Sequence, residues 1–204
     1  MQEEKRAAEY VNPFIGASTN VRDAGAYHGL GKTIPGATYP FGLVQLSPNT
    51  ITGGDNGSGY SDEHESIEGF AFTQMSGIGW YGDLGNFLVM PTIGPMHTNS
   101  GKLENPDAGY RSRYDKASEY AQAGYYSVYL SDYRIRTEAT VAQRAGMLRL
   151  TAGAEIHRQV SSFEGKHLGF FTEFETTKDE VVLMKAGISF VSEENARENL
   201  DRNS

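Results

Sequence analysis

The chain has 204 residues, of which 38% are hydrophobic and 22% charged, enough for one sizeable core and too apolar for a disordered acidic tail. Eighteen Lys and Arg against 26 Asp and Glu leave a net charge of −8, which gives no general attraction for a phosphate backbone and argues against nucleic-acid binding. Cysteine is absent, so disulfides, thiolate metal sites and cysteine nucleophiles are excluded.

No apolar run approaches the length of a membrane-spanning helix. Met1-Gln2-Glu3-Glu4-Lys5 is polar and lacks the apolar core of an export signal. The 24 Gly, 12 Tyr and 10 Phe point to a turn-rich β protein.

In chain order, residues 1–10 are charged and alanine-bearing, fit for a helical turn or two, or for fraying. From Val11 to Gly36 the text is a long glycine-rich loop, and a loop of that length inside a domain is commonly functional. Phe41 to Leu46 is expected to be a short buried strand stopped by Pro48. Residues 53–59 (Gly-Gly-Asp-Asn-Gly-Ser-Gly) form a turn or loop. Gly69 to Met75 is the next strand, with Phe70, Phe72 and Gln74 on one side, and Asn86 to Met90 follows and ends at Pro91.

The clearest alternation runs through Ile135, Thr137, Ala139 and Val141, with Arg134, Arg136, Glu138 and Thr140 on the wet side. Tyr125 to Leu130 precedes it across Ser131-Asp132, which predicts a β-hairpin. Strands are also expected over Leu168 to Phe174 and Val181 to Phe190. Ser192, followed by Glu193 and Glu194, starts a helix with Ala196 and Leu200 on one face and Glu193/Arg197 and Glu198/Arg202 as i,i+4 pairs. The whole reads as an antiparallel β-sandwich of about eight or more strands with long glycine-rich loops and a short C-terminal helix.

Several chemical signals are decoys. The window from Gly25 to Thr33 has five residues before Gly31-Lys32 where a phosphate loop has four, and Pro35-Gly36 forbids the helix that must follow. The five histidines show no metal spacing, and Asp62-Glu63-His64-Glu65 fits a solvated loop better than a cation site. Asn56-Gly57-Ser58 fits the N-glycosylation pattern, but a short match in a glycine run is weak evidence. No nucleophile elbow and no marked pair of opposed carboxylates occurs. His28, inside the glycine loop, stands level between an ordinary loop histidine and a ligand contact.

The window from Gly77 to Gly85 is the most informative, since it holds the only Trp. Trp80 and Tyr81 beside Asp83 suit a sugar, because an aromatic face covers pyranose C–H groups and a carboxylate accepts hydroxyl hydrogen bonds. The competing reading makes Trp80 a core plug, and the flanking glycines weigh against it.

Ordered blocks then resemble a known family. Val11 to Gly16, Pro35 to Pro48, Ile67 to Phe70 with Ser76 to Gly79, Asp83 to Thr92, Ala123 to Val128 and Gly187 to Ser192 with Ala196 to Leu200 are similar, in order, to glycoside hydrolase family 92. The resemblance implies the N-terminal β-sandwich domain (residues 1–191) of an exo-acting, inverting, calcium-dependent α-mannosidase. Residues 192–204 would then start a linker to a C-terminal (α/α)6 barrel. It implies a periplasmic, cell-surface or secreted setting and a mannose-containing glycan as substrate. The general acid, general base and Ca2+ ligands are expected in the barrel, so the chain carries no catalytic or metal residue of its own. His28, Lys32, Trp80, Tyr81 and Asp83 are the expected substrate contacts. Relative to the family, the chain is shortened near Thr151 to Glu155 and Thr176 to Glu180. A stand-alone carbohydrate-binding sandwich, or a purely structural one whose loops pack on another domain, are the alternatives.

Overall fold

The computed structural model describes residues 5–18, 33–51, 58–76, 87–152 and 172–202. Eleven strands occur among them. The first group is β1 (Ala37–Thr38), β2 (Gln45–Asn49), β3 (Ser66–Ile67), β4 (Gly69–Ala71), β5 (Leu88–Val89) and β6 (Ser112–Arg113). The second is β7 (Tyr120–Gln122), β8 (Tyr125–Leu130), β9 (Ile135–Val141), β10 (Ala145–Ala152) and β11 (Val181–Gly187), followed by helix α1 (Glu193–Arg202).

The strands form an antiparallel sheet in the order β1-β2-β4-β5, a second in the order β11-β10-β9-β8-β7, and a small β3-β6 pair. The two larger sheets share one core. Val44, Leu46, Phe70 and Phe72 meet Tyr126, Val128, Leu130, Ala139 and Leu148 in a single buried cluster. The sheets approach so closely at Gly146 that a Cβ there would lie 2.8 Å from the Phe72 ring and 3.1 Å from Val44 Cγ1. The mainly β, sandwich-type class read from composition and alternation holds.

The expected hairpin is present. Leu130 pairs with Ile135, and the turn runs from Ser131 to Arg134, whose φ of 54° closes it. Arg134 therefore belongs to the turn rather than to the strand's wet face. Ile135, Thr137 and Ala139 are buried while Arg136 is exposed, as alternation requires. The helix also begins as read: Ser192 Oγ accepts from the Asn195 amide at 3.1 Å, an N-cap bond that satisfies one orphan donor. Of the two expected i,i+4 pairs, Arg202 with Glu198 is formed as an ion pair.

Four expectations need correction. Phe41 lies outside β2, in a turn at φ 57°, fully exposed, where Gly42 N donates to Tyr39 O and Leu43 N to Gln143 O. The apolar run is thus bent away before the strand begins. Pro48 does not stop β2: it sits opposite Phe70, and β1 pairs only as far as Ala37 with Leu46, so no neighbour on that side requires its missing amide hydrogen. Thr172 to Phe174 form no named strand, and the rest of the strand expected over 168–174 lies outside the described residues. The strand expected to reach Phe190 ends at Gly187, because α1 crosses there: a Cβ on Gly187 would be 2.4 Å from Ala196 O, and Asn199 Nδ2 donates to Ile188 O at 2.8 Å.

Candidate functional site

Three glycine-rich segments (19–32, 52–57 and 77–86) interrupt the described residues, and the residues flanking them gather at one place. Ala17 precedes the first segment and Thr33 follows it. The two sides are clipped together where Thr33 N donates to Gly16 O at 3.3 Å and Thr33 Oγ1 to Ile15 O at 2.8 Å. Ser58, which follows the second segment, donates from Oγ to Thr33 O at 3.1 Å. Ser76, which precedes the third, accepts from the Ile34 amide at 3.3 Å. The residues bordering the first segment are therefore hydrogen-bonded to one residue bordering each of the other two.

Beneath this platform many polar groups are paired. Asp62 N donates to Ala17 O at 3.1 Å, and Glu63 holds both Ser18 and Ser61. The Asp62 to Glu65 loop is largely exposed, as expected, yet it is tied to the platform rather than merely solvated. Thr50 N bonds Gly59 O at 2.8 Å, which closes the second loop, and Thr50 Oγ1 lies 2.8 Å from His64 Nδ1.

Burial holds the His64 imidazole below its ordinary value, with Arg111 and Lys116 adding to the shift against Glu63 and Glu68. A depressed imidazole favours the folded state while neutral. Its contribution is complete above the ordinary value of about 6.5 and fades as pH falls from there toward the lower folded value. The urea midpoint of the wild type is expected to fall more steeply below pH 6.5 than that of His64→Gln; parallel curves would remove His64 from the account.

Deeper, Arg111 and Glu68 form an ion pair at 3.0 Å with side chains 2% and 5% exposed. Arg111 also donates to Thr50 O at 3.1 Å and Ser66 Oγ at 3.0 Å, while Asn49 Nδ2 donates to Glu68 Oε1 at 2.7 Å and Gln74 Nε2 to Asn49 Oδ1. This line ties Ser66 of β3 and Asn49 of β2, through Glu68 and Arg111, to Thr50. A second cluster centres on Glu119, whose side chain is 2% exposed. Tyr60 and Tyr126 both donate to its Oε1, at 2.8 and 2.6 Å, and Lys116 Nζ donates to its Oε2 at 3.2 Å.

All five expected substrate contacts, His28, Lys32, Trp80, Tyr81 and Asp83, fall on the first and third segments and lie outside the described residues. What the structure adds is the set of bonds among residues bordering those segments, Thr33, Ile34, Ser58 and Ser76, to none of which the sequence assigned this role. Their only local signal is that small hydroxyl residues border glycine runs. Among the described residues no three His, Asp or Glu side chains gather into a group that could hold a metal ion. Among them, no helix is long and apolar enough to cross a membrane.

Away from the platform, an open groove of about 410 Å³ lies between the Phe41 turn and the approach to α1. Phe41, Leu43, Phe190 and Val191 expose apolar surface along it, Phe190 to 74% and Val191 to 82%. Clustered apolar exposure of this kind marks a surface that meets another one.

Residues 10–161 match the family model described as the glycosyl hydrolase family 92 N-terminal domain. The structure is similar to that of a family GH92 alpha-mannosidase from Bacteroides thetaiotaomicron, with a TM-score of 0.80 and 28% identity over 98% of this chain and 35% of that one. The same enzyme in complex with mannoimidazole gives a TM-score of 0.80. A second Bacteroides thetaiotaomicron protein, a GH92 inverting mannosidase, shares the fold at a TM-score of 0.68 and 19% identity, over 98% of this chain and 34% of that one. In sequence, an uncharacterized secreted glycosidase of Arthroderma benhamiae is 26% identical over 72% of this chain and 17% of its own length. The chain thus spans about a third of the solved enzymes it resembles and less of the curated relative.

Proposed function

The chain belongs to the N-terminal domain of glycosyl hydrolase family 92, and from that premise we propose that it is the substrate-framing domain of an exported, exo-acting, calcium-dependent, inverting α-mannosidase. The observation that carries the reading is the mutual bonding of the three loop bases through Thr33, Ile34, Ser58 and Ser76. Such a platform gives the glycine loop with His28 and Lys32 and the aromatic loop with Trp80, Tyr81 and Asp83 a common footing. The mannoimidazole complex of the similar Bacteroides enzyme supports a mannose-type sugar, and the secreted relative supports export.

In this reading Trp80 and Tyr81 stack on sugar rings, while Asp83, His28 and Lys32 bond hydroxyl groups or hold their loops. The carboxylates that activate water and protonate the leaving oxygen, and the ligands of calcium, lie in a C-terminal barrel. The exposed Phe41, Phe190 and Val191 beside α1 suit packing against that second domain.

The test pairs an activity with a binding assay. In calcium-supplemented buffer, these 204 residues are expected to turn over no 4-nitrophenyl α-mannoside. Calorimetric titration with oligomannose is expected to show weak affinity that Trp80→Ala lowers about tenfold, the loss of one stacking face. Turnover by the chain alone would place catalytic groups within it, and affinity indifferent to Trp80→Ala would remove the indole from the sugar site.

A further inference from the structure

The Glu119 cluster has no part in the sugar contacts just proposed, yet it reaches the loop platform by two routes. Tyr60 is fully buried, and its ring packs with Ala17 and Ile34, residues on either side of the first glycine-rich segment, in a small core separate from the main one. The Tyr60 hydroxyl donates to Glu119 Oε1 at 2.8 Å and receives Lys116 Nζ at 3.2 Å. That is the first route. In the second, Lys116 Nζ donates at 3.1 Å to Asp62, whose amide is bonded to Ala17 O. Lys116 is further fixed by the faces of Tyr60 and Tyr114, at 5.4 and 5.1 Å from the ring centres.

On the other side, Glu119 is anchored to the five-stranded sheet. Tyr126, fully buried in β8, donates to the same Oε1 at 2.6 Å, and residues 116–118 are a 3-10 turn capped by Asp115 and leading into β7. Three donors converge on a carboxylate that is almost wholly enclosed. Charge-assisted bonds in such an environment are short and directional, so they fix geometry.

We propose that Lys116 and Glu119 form a positioning strut that, through Tyr60 and Asp62, sets the height and tilt of the first loop's base against the five-stranded sheet and so tunes sugar binding without touching sugar. The strut is a feature of the fold; its effect on affinity rests on the function proposed above. Its members are positioning residues. Burial alone would lower the Lys116 ammonium, but Tyr114, Glu119 and Asp62 outweigh it and push it up to about 12, so Lys116 keeps its charge through neutral pH.

The experiment uses amide hydrogen exchange and calorimetry on the whole chain, comparing wild type, Tyr60→Phe, Glu119→Ala and Glu119→Gln. Tyr60→Phe keeps the ring between Ala17 and Ile34 and removes only the hydroxyl. It is expected to speed exchange at the Thr33, Ile34 and Asp62 amides about tenfold, the loss of one charge-assisted bond, while the Leu148 and Ala139 amides stay as protected as before. Glu119→Ala should do the same more strongly, and Glu119→Gln, which keeps an acceptor for the phenols, should recover part of the protection.

Oligomannose affinity should fall in the same order. Unchanged exchange at the three base amides, or equal acceleration at the Leu148 and Ala139 amides, would overturn the strut. Altered base exchange with unaltered affinity would overturn its role in binding. If the wild type binds no oligomannose, that role falls together with the proposed function, while the exchange arm still decides whether the strut exists.

Discussion

Glu68→Ala is expected to cost about 3–5 kcal/mol in urea unfolding, the range for removing one partner of a buried ion pair. The size follows from what remains. Arg111 is 2% exposed, its Nε already lacks a partner, and the guanidinium would keep only Ser66 and Thr50 as acceptors. Asn49 would lose this acceptor as well. The double variant Glu68→Ala/Arg111→Met should be less damaging than Glu68→Ala alone, because the uncompensated charge leaves with its partner. A cost below about 1 kcal/mol, the level of an exposed pair, would mean that water reaches the guanidinium. The exposed Arg113–Asp107 pair makes the useful contrast, as its loss should scarcely move the transition.

The second large effect is steric. Gly36 stands between the loop platform and β1, and a Cβ there would fall 2.3 Å from Leu46 O and 2.4 Å from Ser47 Cβ. The obstructing atoms include the backbone of the paired strand, which has no rotamer to give. Gly36→Ala must therefore lift β1 from β2 and is expected to cost about 3 kcal/mol or more, at the upper end for overpacking. Gly94→Ala provides the control: its φ is 91°, but nothing lies within 4 Å of a Cβ, so only backbone strain of about 1 kcal/mol applies. Equal unfolding midpoints for the two variants would refute the close approach.

What sequence could and could not reveal divides along chain distance. The β8–β9 hairpin, the inward row of Ile135, Thr137 and Ala139, and the Ser192 cap are local, and alternation or a single cap residue suffices to read them. Phe41 misled because an apolar run says nothing of a turn fixed by Gln143, a residue in a distant loop. Arg111, Glu68, Lys116 and Glu119 read as ordinary charges, since the contacts that join Arg111 to Glu68, and Lys116 and Glu119 to Tyr60, span 43 to 59 positions and nothing in either neighbourhood announces them. The expected substrate contacts came from residue types, an aromatic pair beside a carboxylate and a histidine and lysine within a glycine run, together with the family resemblance, and they lie outside the described residues. The bonds among Ser58, Ser76, Thr33 and Ile34 became visible only when the fold brought these residues together.

The order of strands in the five-stranded sheet also has a kinetic side. From β7 to β11 each strand pairs with its predecessor in the chain, whereas β3 must wait for β6, with two other strands between them. From β7 to β10 the connections are two to four residues long, and pairings across such short connections form early, while distant ones come late. The meander is thus the expected nucleus on which the other half condenses, with the β3-β6 pair among the last contacts to form.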